Sequence, residues 1–95
     1  MPAYMIVNIT LRDPAAYEAY KAAVPPLIAK HRGEYLVRGG AHDVLEGQWQ
    51  PSRLVLLRFP DRAAVRAFMN DPDTLPFKAL RQRVADTDSV VVDGL

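Results

Sequence analysis

The sequence contains no cysteine. That excludes disulfides, thiolate metal sites and cysteine nucleophiles, and it fits a reducing compartment. A surplus of charge of one sign is missing too. Twelve Lys and Arg meet eleven Asp and Glu for a net charge of +1, so there is no electrostatic case for nucleic acid or an anionic membrane. No apolar run approaches the ~20 residues of a membrane span. The chain opens on a strand pattern, without the basic region and apolar run of a leader. A soluble, cytoplasmic protein with neither a membrane nor a nucleic-acid partner is expected. Gly-x-Ser-x-Gly elbow, phosphate loop and dinucleotide fingerprint are all absent. The two histidines, His31 and His42, fall on different elements without ligand spacing, so neither a metal site nor a cofactor is expected.

What is present is an ordinary globular composition, 49% hydrophobic and 24% charged over 95 residues. That length makes one domain, residues 1–95. A chain this small has a modest core, and association would help it.

The stretch from Glu34 to Gly47 reads as one long strand interrupted by Gly39-Gly40. Leu36 and Arg38 are expected on one face and Tyr35 and Val37 on the other. The glycine pair signals a bulge or bend, which leaves the faces of His42 and Asp43 open. Before it, residues 3–11 alternate as a strand, with Met5, Val7, Ile9 and Leu11 on one face and Tyr4, Ile6, Asn8 and Thr10 on the other. Asp13-Pro14 starts a helix. Its stripe is Tyr17, Tyr20, Val24, Leu27, Ile28 and His31. Pro25-Pro26 predicts a kink within it, and Gly33 a C-terminal cap.

Residues 47–52 form a loop carrying Trp49, either an interface anchor or a side chain folded onto the domain edge. Residues 53–59 form a third strand, with Val55, Leu57 and Phe59 opposite Leu54, Leu56 and Arg58. Pro60-Asp61 caps a second helix striped by Ala64, Val65, Phe68 and Met69, which Asn70-Asp-Pro-Asp73 breaks. A third helix turns Phe77, Leu80 and Val84 inward and Lys78, Arg81, Gln82 and Arg83 outward. Residues 89–93 form a short last strand.

Strand, helix, strand, strand, helical pair, strand is the ferredoxin-like βαββαβ order, an α+β fold with an antiparallel four-stranded sheet. Helices cover one sheet face. Tyr4, Ile6, Leu54 and Leu56 lie on the bare one, so a homodimer with two sheets face to face is expected.

The polar residues suggest an anion pocket. Arg38 and Arg58 each offer a forked donor for a carboxylate or enolate, Asn8 stands beside them, and His42 is the candidate proton carrier, hence the candidate catalytic residue. The competing reading pairs the arginines with Asp43, Glu46 or Asp93 across strands and gives Asn8 a hydrogen bond inside the fold.

Several segments carry a resemblance: Asp13-Pro14, Tyr17, Tyr20, Gly33-Glu-Tyr-Leu-Val-Arg-Gly-Gly40, Val44-Leu-Glu-Gly47, Trp49, Arg53-Leu-Val-Leu-Leu-Arg-Phe-Pro60 and Val92-Asp-Gly94. Together they resemble the bacterial domain-of-unknown-function family 1330 nearly end to end. The resemblance implies a dimeric α+β barrel, the architecture of cofactor-free monooxygenases and muconolactone isomerase, and it supplies no reaction. Asp71-Pro-Asp-Thr74 departs from the Ser-Pro-Glu-Tyr common in the family, so any role of that tyrosine is absent. Two functions are therefore expected in competition. One is a cofactor-independent enzyme acting on a small apolar or anionic molecule. The other is a non-catalytic dimer that binds a small ligand or serves structurally.

Overall fold

The computed structural model describes residues 1–95. Strand β1 (Ala3–Leu11) is followed by helix α1 (Pro14–Lys30) and strands β2 (Glu34–Arg38) and β3 (Leu54–Phe59). Helices α2 (Arg62–Asn70) and α3 (Leu75–Val84) and strand β4 (Ala85–Asp93) complete the chain. The strands pair antiparallel in the order β2-β3-β1-β4. This is the ferredoxin-like α+β fold.

The barrel is corrected by that order. Strands β2 and β4 are the outer members of an open sheet, and no pairing joins them. Four strands are about half the number that closes a barrel around filled side chains. Periodicity and resemblance report which strands exist, not whether the sheet's edges meet.

Alternation on β1 puts Ala3, Met5, Val7 and Ile9 on the helix side. Val55, Leu57 and Phe59 join them from β3, and Tyr17, Val24, Ile28, Val65, Phe68 and Val84 close the core from the helices. The other face stays bare, with Val90 60% and Val92 49% exposed beside half-buried Ile6, Leu54 and Leu56.

Three local expectations change. The long strand stops at Arg38, and residues 39–53 connect it to β3, exposed from 40 to 50. The irregularity lies before the glycines: Tyr35 pairs with Leu57, Val37 with Leu56 and Arg38 with Val55, so Leu36 is the extra residue. One inserted residue turns Arg38 onto the same side as Tyr35, against simple alternation. β4 also starts earlier than expected, at Ala85, directly from the end of α3.

Helix α1 runs unbroken through Pro25 and Pro26. Asp13 Oδ1 accepts from the Ala16 N–H at 3.1 Å to cap its start. Pro25 has no N–H to give the Lys21 carbonyl, and the Arg38 guanidinium takes that carbonyl instead, at 2.6 Å. An outside donor replaces the lost rung, so the helix need not stop. At the other end the left-handed residue is Arg32 (φ 62), while Gly33 donates to the Ile28 carbonyl at 2.9 Å. Gly33 is needed for space: a Cβ there would stand 2.7 Å from Ile28 and the Phe59 ring.

Candidate functional site

Between α1 and the covered sheet face lies a cleft floored by Met5, Val7, Val55 and Leu57. Its space between atoms, mouth included, is about 460 Å³, but only about 30 Å³ is free for the centres of water-sized molecules. Its polar members are Arg38, Arg53, Arg81, Lys21 and the tyrosines 17, 20 and 35, and no carboxylate lines it.

Each arginine lies over a different tyrosine. Arg38 Cζ is 4.7 Å from the Tyr35 ring centroid, Arg53 Cζ 5.9 Å from Tyr17, and Arg81 Cζ 5.8 Å from Tyr20. Tyr17 and Tyr20 stack on each other at 5.2 Å, one helical turn apart on α1. The leucine insertion in β2 is what sets Arg38 beside Tyr35. Arg53 reaches in from the start of β3 beneath Gly39, whose φ of 73° and lack of a side chain leave room for the guanidinium. Arg81 comes from the inner face of α3 and is only 6% exposed.

The electrostatics are one-sided. None of the three guanidiniums takes part in the protein's ion pairs. Arg81 Nη1 reaches the Tyr20 hydroxyl at 3.4 Å, a long contact. The Nε atoms of Arg53 and Arg81 are buried without partners. Burial pushes the Tyr35 phenol up to about 12 against the pull of Arg38. Burial likewise raises Tyr17, with Tyr20 adding to the shift. Both phenols therefore stay protonated at neutral pH. The cleft can hold a negative charge with cations and neutral hydroxyls. It contains neither carboxylate nor imidazole to take a proton.

The residues expected at the site are not gathered together. Arg38 lines the cleft at its mouth, exposed, with its fork on the Lys21 carbonyl. Asn8 is on the bare face and accepts from the Ser52 N–H at 2.9 Å, pinning the connection that returns to β3. Arg58, also on the bare face, is 3.7 Å from Glu34. His42 lies in the exposed connection, where its Nε2 donates to the Pro51 carbonyl at 2.9 Å.

Sequence reasoning missed Arg53, Arg81 and the three phenols. Arg81 had a signal: it follows Phe77 by four and precedes Val84 by three, so it belongs to the buried stripe of α3. Its charge argued for solvent, and geometry prevailed. Tyr17 and Tyr20 were visible in the α1 stripe, and Tyr35 in the central strand, as apolar bulk. Nothing local indicated that their rings would carry arginines.

The other buried polar cluster is separate. Asp71, 8% exposed, accepts from Lys30 Nζ and His31 Nε2, both at 2.7 Å, and from the Asp73 N–H at 2.9 Å. The Lys30 ammonium, then the Asp73 N–H and His31, hold its carboxyl well below the usual range. This knot ties the end of α1 to the turn between α2 and α3.

Residues 2–95 match the model of a domain of unknown function, DUF1330. No curated protein matches the sequence. A protein of unknown function from Rhodopseudomonas palustris superimposes with a TM-score of 0.80 at 22% identity, over 99% of this chain and 82% of its own. A dimeric ferredoxin-like protein of unknown function from Jannaschia sp. CCS1 gives 0.72 at 14% identity, over 99% and 100%. SnoaB from Streptomyces nogalater, a cofactor-independent oxygenase, gives 0.67 at 14%, over 99% and 93%. At these identities the likeness is one of fold. No helix of the chain is long and apolar enough to cross a membrane.

Proposed function

The chain belongs to the DUF1330 family, and from that premise we propose that it binds a small, largely apolar organic anion in the cleft beneath α1. One observation carries the reading: three guanidiniums face an apolar floor with tyrosines for neighbours and no carboxylate among the lining residues. A buried cation without a counter-charge is costly, and a ligand carboxylate or enolate offsets that cost. Arg38 stands at the mouth as the group an entering anion meets first. Asn8 and Arg58 support the frame rather than the ligand. Calorimetric titration of benzoate and phenylpyruvate against neutral benzamide tests the reading. The acids should bind and raise the melting temperature while benzamide does neither. Equal behaviour of acid and amide overturns it.

Turnover without a cofactor is the second reading, favoured by the shared fold of SnoaB. A cleft that holds a carboxylate also holds the enolate of a reacting acid. Such a reaction must draw its base from substrate, water or a moved loop, since His42 is engaged with Pro51. Oxygen uptake or loss of phenylpyruvate, abolished by Arg53→Met, would establish it.

The same proposal includes a homodimer through the bare face, where Tyr4, Ile6, Leu54, Leu56, Val90 and Val92 make an apolar surface that one copy leaves open. Relatives described as dimeric have this fold. Sedimentation equilibrium at micromolar concentration should give twice the single-chain mass. Leu56→Asp should dissociate or unfold the protein, because it buries an unpaired carboxylate. A monomer at that concentration ends the idea.

A further inference from the structure

The charges in the cleft say more about its ligand than its sign. Arg81 is buried and Arg53 partly buried, and both keep a buried Nε without a partner. Arg81 is more than nine-tenths buried, and its one side-chain contact, to the Tyr20 hydroxyl, is long. Arg38, at the mouth, has already placed one N–H on the Lys21 carbonyl. Lys21 adds a further cation to the lining, with Glu18 at 4.0 Å as its nearest acid. A single carboxylate engages one fork and leaves the other inner guanidinium buried and unmatched.

We infer that the cleft is built for a diacid: a compact apolar body carrying two separate carboxylate or equivalent acidic groups, one held by Arg81 and the other by Arg53 with Arg38. This rests on the anion reading above and adds the number and placement of the charges. The two inner arginines reach the cleft from different elements, α3 and the start of β3. Lining the same cleft is the aliphatic sheet face of Met5, Val7, Val55 and Leu57. Two acid groups on one hydrocarbon body match two guanidiniums and an apolar floor together, whereas an inorganic anion leaves the floor unused. The Tyr17 and Tyr35 phenols, kept protonated by burial, add no negative charge of their own to the cleft. A ring-bearing ligand needs on the order of 150 Å³, so it enters by swinging the long stems of Arg38 and Lys21 off the mouth.

Isothermal titration of the full chain with benzoate and isophthalate at fixed ionic strength, with benzamide as the uncharged control, tests this. Isophthalate should bind at least about tenfold more tightly than benzoate, the yield of one further charge-assisted contact. That advantage should shrink to about twofold or less in Arg81→Met and, separately, in Arg53→Met, and it should persist in Arg58→Met on the bare face. Glutarate against butyrate repeats the comparison on a slimmer, flexible body, so that a ring too bulky to enter is not mistaken for a missing second contact. If either inner variant fails to fold, the other decides. Equal affinity for diacid and monoacid in both series overturns the inference and leaves the anion reading standing. No preference for any acid over benzamide overturns both.

Discussion

The protein settles its arginines in two ways. On the surface, Arg12 meets Asp86, Arg58 meets Glu34 and Arg62 meets Asp93, each with a side chain about half exposed. Inside the cleft, Arg38, Arg53 and Arg81 meet Tyr35, Tyr17 and Tyr20. A carboxylate neutralises the guanidinium and takes its donors. A tyrosine ring holds the guanidinium plane by about 0.5–2 kcal/mol and leaves both charge and N–H groups free. The first arrangement closes an account within the protein; the second, on the proposed reading, keeps a cation in place for a ligand.

Arg81→Met breaks the contrast hardest. It should cost about 2–5 kcal/mol of anion affinity, as loss of one partner of a buried charge pair does. Melting temperature should hold or rise, since an unmatched buried cation gives way to an apolar stem of similar length. A lower melting temperature with affinity intact would make Arg81 structural. Arg38→Met comes next, with a loss of about 1.5–3 kcal/mol in binding and little change in stability.

Gly39→Val acts on the same cleft through the backbone. At φ 73° a β-branched residue is strained, and its Cβ would collide with the Arg53 guanidinium, so about 1–3 kcal/mol of stability should be lost in denaturant titration. Gly40→Val, with nothing near its added Cβ, should be silent. Arg62→Met, which removes a surface pair, should cost no more than about 1 kcal/mol and leave binding unchanged.

The smallest expected effect is none at all. Between about pH 6 and 9, binding should stay flat, because Tyr35 titrates only near about 12 and Tyr17 is also raised by burial. Stability behaves differently in acid. The folded-state pKa of Asp71 is depressed, so its contribution is fully present above the ordinary carboxylate value of ~3.9 and is lost as pH falls through the folded value. Thermal melts from pH 7 into acid should show that loss, and Asp71→Asn should flatten it.

The elements were legible in the sequence because their signals are local: strict alternation in β1, Asp13-Pro14 at the start of α1, Pro60-Asp61 before α2. That the sheet stays open, against the expected barrel, was not, since closure depends on two distant edges meeting, and no stretch of sequence reports that. The candidate site was legible only at Arg38. Counting by twos placed Arg38 opposite Tyr35, and the extra Leu36 reversed this. A strand pattern does not announce a bulge three residues before a conspicuous glycine pair. Asn8 and Arg58 were read from their strand positions correctly as to face, but that face is the bare one. Arg81 was hidden by residue type: its spacing belonged to the core and its charge to the surface.

Pro25 has a consequence for how readily the cleft opens. Because the proline offers no N–H to the Lys21 carbonyl, the closing contact of Arg38 at 2.6 Å has no competitor within the helix. On the proposed anion reading, an incoming acid must win the Arg38 guanidinium from a main-chain oxygen. The affinity an experiment records is then the intrinsic one divided by the scarcity of the open form. On that same reading, a missing hydrogen atom on one imino acid raises the concentration at which the cleft begins to fill.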